Sequence, residues 1–524
     1  MSIRHLAAAV LTTFLVATAC APSAPGGGAP AGKPTYGGTV TFALDSDITD
    51  LDPMLSRLFV DRNIHYQIYD GLVRINPKGE IVPWLAEKWT IAEDGKAVTF
   101  SLRKDVKYHD GTPFDAESVK WNIDRYRETK GSNRAGELGS VDSVTVVDLS
   151  TVRLNLKAPF SALLAQLADR AGMMVSRKAV EAGGQDFTRR AFRAGTGPFI
   201  LTEAVKDDHY TLERNPDWWG KDKDGSKLPY LDKIVIKPII DADVRLTNVR
   251  TGNAQVMNRV TGKDVPTVKA DPSLVYQQIG AYSYDSLIPN RAKGFVFEDG
   301  RYVKAVSLAL DRTELLEKGP AQGVGVVGYG PIAPSHFAFD PNFKPFAKGD
   351  PDGAKKLVAE VGKGPLKFEF LVSSGNPGLL QLAQLIQAQL AKADITAEIK
   401  TLLFNEIVKL QSDKKFLGMT LIGWSGRIDP DGNVYDHVYT GKPFNDPSYS
   451  NKEVDRLLDE QRASSDQAKR REALRRAEQL FVVDDPARVW YSFGVAQLLT
   501  AKNLKGLEPY PDQIIRFQFA WLEK

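Results

Sequence analysis

The chain of 524 residues carries a formal net charge of +3, and 25% of its side chains are charged, without the basic blocks that mark a nucleic-acid binder. Its one cysteine, Cys20, excludes an intrachain disulfide, so packing alone must hold the fold. Hydrophobic content of 43% is ordinary for a globular protein, and the roughly 490 residues beyond the amino-terminal tract exceed one hydrophobic core, which predicts two or more lobes.

Arg4 and His5 precede an apolar run over 6–16, and Ala17, Thr18 and Ala19 follow it. This is the pattern of an export signal over 1–19, with an apolar run too short to span a bilayer. Two processing routes are open. Ordinary signal peptidase cuts after such an A-x-A site, whereas a bacterial lipobox makes Cys20 the acylated amino terminus, although Ala17 stands where a lipobox prefers Leu. Lipidation is the favoured expectation, because an unpaired thiol is a liability in an oxidising compartment and two acyl chains suffice for anchoring. Residues 20–35 read as a flexible tether, since the Ala, Pro, Ser and Gly of 21–33 bury too little surface to offset their ordering entropy. Its extended reach is about 40 Å.

Beyond the tether, "GGTVTFALDS" alternates Val40, Phe42 and Leu44 and predicts a half-buried strand. "VTFSLRKDVKYHDGTPF" does the same through Val98, Phe100 and Leu102, then turns at Asp110 and Gly111. "DAESVKWNIDRYRE" places Val119, Ile123 and Tyr126 on one helical face behind an Asp115 cap. "VDSVTVVDLSTVRLNLKAP" reads as a hairpin about Asp148. Trp218 and Trp219 follow the turn at Asn215 and Pro216, where packing is the expected role. "GVGVVGYG" near Gly323 lacks dinucleotide-binding spacing and reads as a loop. Beyond Lys304 helical patterns lengthen, as in "RYVKAVSLALDRTELLEK", "GLLQLAQLIQAQLAKADI", "NKEVDRLLDEQRAS" and "AKRREALRRAEQLF". They alternate with the strand-like "LKFEFLVSS" and "FLGMTLIGW". The mixture predicts α/β lobes with sheet cores.

Residues 69–125, "YDGLVRINPKGEIVPWLAEKWTIAEDGKAVTFSLRKDVKYHDGTPFDAESVKWNIDR", resemble the extracytoplasmic solute-binding proteins of family 5. Further blocks follow in the family's order: "GTGPFIL" at Gly195, "NPDWWG" at Asn215, "RYVKAVSLALDR" at Arg301, "GW" at Gly423 and "NKEVDRLLDE" at Asn451. These proteins serve ABC importers of oligopeptides, dipeptides, nickel, opines and some oligosaccharides. The resemblance implies a two-lobed periplasmic-binding-protein fold of mixed sheets, with an extra subdomain and a hinge closing over a small polar solute. Lobe I is expected over 36–268 with a subdomain near 59–191, lobe II over 269–491, and a return to lobe I over 492–524. It also implies that the ligand is handed to a membrane permease. A monomer without a cofactor is expected. A nickel or haem carrier, the rival within the family, has no support in the scattered histidines and the absence of cysteine from the folded region, so no bound metal is expected.

In peptide-binding members of that family an aspartate three residues after the Trp of "GW" holds the ligand's α-ammonium. Counting from Trp424, this sequence has Arg427 there, which would favour a carboxylate or another acceptor-rich group. Two alternatives stand beside that reading. Arg427 pairs locally with Asp429 or Asp431 in the Pro-Gly turn of "DPDG", or Asp429 takes over the amine-anchoring role. By the same resemblance Trp424, Tyr282, Tyr284, Asn290, Leu58 and Phe59 are candidate ligand contacts, each with packing as its competing role. A cell-surface hydrolase is the main rival class, but the six histidines His5, His65, His109, His209, His336 and His437 make no metal-ligand spacing. There is also no G-x-S-x-G elbow. A membrane-tethered chaperone lipoprotein is the other alternative.

Overall fold

The computed structural model describes residues 33–374, 377–442 and 444–524. The expected export signal, Cys20 and most of the expected tether lie outside the described residues.

Alternating apolar residues build one large mixed sheet. Among the described residues its spatial order is Thr396–Leu402, Lys367–Ser373, Met419–Trp424, Leu274–Pro289, Val489–Ala501, Val256–Met257, Thr39–Leu44, Lys233–Pro238, His209–Arg214 and Phe199–Val205. Two long strands dominate its middle. Leu274–Pro289 and Val489–Ala501 run antiparallel, from the pair Leu274 and Ala501 to the pair Leu287 and Val489. Their register shifts between Gly280 and Tyr284, and there the Tyr282 N–H donates instead to the Pro511 carbonyl at 3.1 Å.

The apolar side chains separate on either side of these strands. One cluster gathers residues between Val40 and Val256 with Leu498, Leu504 and Phe517. Two others draw on residues from Tyr284 to Phe493. The result is a two-lobed α/β fold in which both central strands contribute to both cores. A separate antiparallel sheet, ordered Ala86–Ile91, Ala97–Leu102, Thr151–Leu156 and Val141–Asp148, stands in the amino-terminal half.

Local signals explain many of the boundaries. Asp115 Oδ1 accepts from Ser118 N at 2.8 Å, and Asp115 N donates to Ser118 Oγ at 3.1 Å. This reciprocal cap, worth about 1 kcal/mol, starts the helix Ala116–Glu128. The hairpin turns where Ser150 N donates to Asp148 Oδ1 at 2.7 Å.

Three expectations change. The helical run after Arg301 is two helices, Gly300–Ala309 and Arg312–Lys318, because Asp311 accepts from Glu314 N at 2.9 Å and caps a new start. "GVGVVGYG" includes a short strand, Val326–Val327, on the edge of Val489–Ala501. "DPDG" is a helix start rather than a turn. Asp429 Oδ1 accepts from Asp431 N at 2.9 Å, and the helix Asp431–Val438 follows.

Trp218 and Trp219 pack around a buried carboxylate. Asp70, 3% exposed, accepts from Trp84 Nε1 at 2.7 Å, from Trp218 Nε1 and Trp219 Nε1 at 3.1 Å each, and from Thr196 Oγ1 at 3.2 Å. Burial raises its pKa above the ordinary aspartate value, and the indole donors oppose that shift.

Candidate functional site

A cleft of about 580 Å³ opens where the two halves of the large sheet meet, within the usual range for small-molecule pockets. Its walls come from well-separated stretches of chain. Asp45 and Ser46 follow the strand Thr39–Leu44, Leu58 and Phe59 precede a short helix, and Gln513 comes from the carboxyl-terminal return. Ser283 and Asp285 lie on the central strand, and Gly423, Trp424 and Ser425 end the strand Met419–Trp424. A recess of similar volume, about 530 Å³, lies wholly within residues 108–181 and touches nothing of the carboxyl-terminal half.

Three of the sequence-predicted residues line this cleft, namely Leu58, Phe59 and Trp424. Leu58 is 44% exposed, and Phe59 lies 5.1 Å beneath the Arg259 guanidinium. The Trp424 indole meets the His437 ring edge-on at 4.4 Å and donates from Nε1 to Asn433 Oδ1 at 3.2 Å.

The remaining five are held elsewhere. The Arg427 guanidinium lies 4.4 Å over the Trp424 ring, and its Nη1 donates to the Gly426 carbonyl at 2.8 Å. Burial lowers its pKa below the usual arginine value, opposed by the Glu137 and Asp169 carboxylates. It pairs with neither neighbouring aspartate. Asp429 binds Arg470, and Asp431 binds Arg462 at 2.7 and 2.8 Å. Tyr282, 2% exposed, stacks on His336 with ring centres 5.0 Å apart. Tyr284 is edge-on to Trp490 at 6.3 Å. Asn290 Nδ2 donates to the Lys414 and Phe416 carbonyls at 3.1 and 2.7 Å.

Asn433, which no sequence signal had singled out, fastens the cleft wall. Its Nδ2 donates to the carbonyls of Tyr282 and Pro331, both at 2.9 Å. Its Oδ1 accepts from Trp424 Nε1 and, at 2.8 Å, from Arg427 N. One buried amide thus ties the Trp424 loop to the central strand. Gly426 permits the approach. Its φ is +78°, and a Cβ there would stand 2.3 Å from the Tyr282 carbonyl.

The charges on the cleft wall are mixed. Arg259 Nη1 lies 3.2 Å from Asp45 Oδ2. Asp285 Oδ2 accepts from Ser492 Oγ at 2.8 Å. Burial raises the Asp285 pKa, opposed by the Ser492 hydroxyl and by Arg259. Arg57 is exposed at the mouth and has no carboxylate within ion-pair reach among the described residues. Sequence reasoning missed these polar residues because each is isolated in the chain and acquires meaning only through the sheet order.

A second contact joins the halves away from the cleft. Ser161 N donates to the Arg462 carbonyl at 3.0 Å, and Ser161 Oγ donates to the Gln461 carbonyl at 3.2 Å. The Arg462 guanidinium sits 5.1 Å from the Phe160 ring.

The profile of the bacterial extracellular solute-binding proteins, family 5 Middle, matches residues 80–446. The glutathione-binding protein GsiB of Escherichia coli strain K12 is 26% identical over 497 residues, spanning 92% of this chain and 94% of GsiB. The periplasmic binding protein DppA of Helicobacter pylori, solved with the peptide STSA, aligns with a TM-score of 0.81 at 24% identity, over 94% of this chain and 99% of DppA. The oligopeptide-binding protein AppA of Bacillus subtilis, solved with a nonapeptide, aligns with a TM-score of 0.81 at 22% identity, over 94% and 100% of the two chains. The fold is that of the periplasmic binding proteins.

Proposed function

The chain belongs to the bacterial extracellular solute-binding proteins of family 5, and from that premise we propose that it is the substrate-binding component of an ABC importer. It captures a peptide-like or related small polar solute between its lobes and delivers it to a membrane permease. The cleft bounded by both halves of the sheet carries this reading. The ligands named for the relatives, glutathione and short peptides, are of a size that such a cleft accepts.

Lobe I comprises about 36–268 with the 59–191 subdomain and the return from 492, and lobe II about 269–491. Their relative motion is centred on the register break of the two long strands. Ligand touching both lobes stabilises the closed arrangement, and only its differential affinity for that arrangement shifts the equilibrium. Leu58, Phe59 and Trp424 form ligand-facing walls. Arg427, Asp429, Tyr282, Tyr284 and Asn290 hold those walls in place. The protein acts as a monomer, exported and anchored through a lipidated Cys20.

Native mass spectrometry of the purified protein, followed by thermal melts with the solutes recovered, tests the reading. A stoichiometric small solute that raises Tm with the logarithm of its concentration is expected. Catalytic conversion of that solute, or no solute able to raise Tm, overturns it.

A further inference from the structure

Asp285 occupies an unusual place in the cleft. It lies on the central strand opposite Gly423 on one side, with Ser492 beside it on the other. Ser492 Oγ donates to Oδ2. Oδ1 leans over Gly423, where a Cβ would stand only 2.4 Å from it. The missing side chain at Gly423 leaves that oxygen room beside the cleft that both residues line.

Asp285 is partly exposed to the cleft, and a carboxylate even partly withdrawn from water needs compensation. Among the described residues Asp285 has one hydrogen bond, from a neutral hydroxyl. The cation that influences it, Arg259, is in ion-pair contact with Asp45. The site is therefore a preorganised acceptor without a cation of its own. We infer that Asp285 Oδ1 receives a primary ammonium group of the transported solute, making an amine-bearing solute the preferred ligand class. The inference rests on the cleft reading above.

Geometry favours ammonium over guanidinium. A guanidinium fork wants both carboxylate oxygens in one plane, and Ser492 already holds Oδ2. An ammonium is a compact point charge with three rotatable donors, suited to a single oxygen. Arg427 does not oppose the ammonium here, because its guanidinium is directed onto Trp424 and the Gly426 carbonyl rather than lining the cleft. Of the arginines that do line it, Arg259 is paired with Asp45 and Arg57 lies exposed.

The test uses a mixed-sequence tripeptide pool, native and N-acetylated, with the full folded protein. Binding is read by calorimetry, with the solutes from native mass spectrometry as a parallel set. Native peptides should bind wild type about 10- to 100-fold more tightly than acetylated ones, the range of one charged hydrogen bond. Asp285→Asn, which keeps the shape and an acceptor for Ser492, should erase that difference.

Equal binding of both pools by wild type overturns the assignment while leaving solute capture intact, and needs no variant to fold. Retained discrimination in a folded Asp285→Asn also overturns it. Recovery of a tightly bound solute without an amine removes the assignment alone. Failure of every peptide and every recovered solute to bind removes the importer reading together with it.

Discussion

Arg470 holds Asp429 by two parallel bonds, Nη1 to Oδ2 at 2.9 Å and Nη2 to Oδ1 at 2.6 Å. Their side chains are only 7% and 12% exposed. Asp429 also accepts from the first turn of the helix Asp431–Val438, so its carboxylate is a structural hub. Arg470→Met strands that charge and is expected to cost about 3–5 kcal/mol, read as a fall in the denaturant midpoint. Asp429→Asn should be milder and should leave the order of ligand affinities unchanged. A reordered ligand series would instead make Asp429 a ligand contact.

Phe160 and Arg462 join the halves of the molecule outside the cleft. A contact of this kind is worth about 1 kcal/mol, and on the two-lobe reading proposed above it favours the closed arrangement. Phe160→Ala should therefore weaken ligand binding about fivefold without altering specificity, and small-angle scattering should record a larger radius of gyration at subsaturating ligand. Unchanged affinity would mean that this contact does not bias closure.

Glu478 sits, 3% exposed, in a recess of about 220 Å³ beside Tyr329, Phe339, Phe343 and Phe493. Burial pushes its pKa up to about 8 from 4.5, opposed by the Ile332 N–H and Arg475, while Asp340 adds to the rise. The folded state thus holds a proton that the unfolded chain releases. The stability this contributes is complete below pH 4.5 and is lost as pH rises towards about 8, at a slope of up to about 1.4 kcal/mol per pH unit. Glu478→Gln should flatten that part of the Tm profile and raise Tm most on its alkaline side. An unchanged slope would assign the pH dependence to other groups.

Asp70 gathers three indole N–H groups. Asp70→Ala leaves the buried Trp218 N–H without an acceptor, at about 1–3 kcal/mol, and frees the partly buried Trp84 and Trp219 N–H groups at a smaller cost. It is therefore expected to destabilise the amino-terminal core by about 2–3 kcal/mol. Asp70→Asn retains one acceptor oxygen and should fall between. Fluorescence-monitored unfolding reads both, with Trp84, Trp218 and Trp219 as the local reporters.

Cys20→Ser is expected to move the protein from the membrane fraction to the soluble exported fraction while leaving ligand binding unchanged. Retention of the variant in membranes would rule out acylation at Cys20 as the anchor.

What could be read from the residues was local. The Asp115 cap, the turn at Asp148 and the alternation of Val40, Phe42 and Leu44 each sit within a few residues of the element they specify. The packing role of Trp218 and Trp219 was legible because two indoles after an Asn-Pro turn need cover, although their acceptor, Asp70, lies 148 and 149 residues away. Arg427 drew attention by its charge, but a guanidinium can turn onto a neighbouring ring, and only coordinates place it over Trp424. Asp285 and Asn433 carry no local signature. Asp285 becomes a cleft group through pairing with Gly423 and Ser492 on two other strands, and Asn433 reaches the Tyr282 carbonyl across 151 residues.

The strand Val489–Ala501 lies between Leu274–Pro289 and Val256–Met257, inside the sheet rather than at its rim. Residues made late therefore insert between elements made much earlier, and the tail beyond them reaches back as far as Thr35, whose Oγ1 donates to the Leu522 carbonyl at 2.9 Å across 487 residues. Closure over such separations is slow. A chain emerging from the ribosome cannot complete either lobe until its carboxyl terminus is free. Until then the large sheet lacks one of its two long central strands, so both cores stay incomplete.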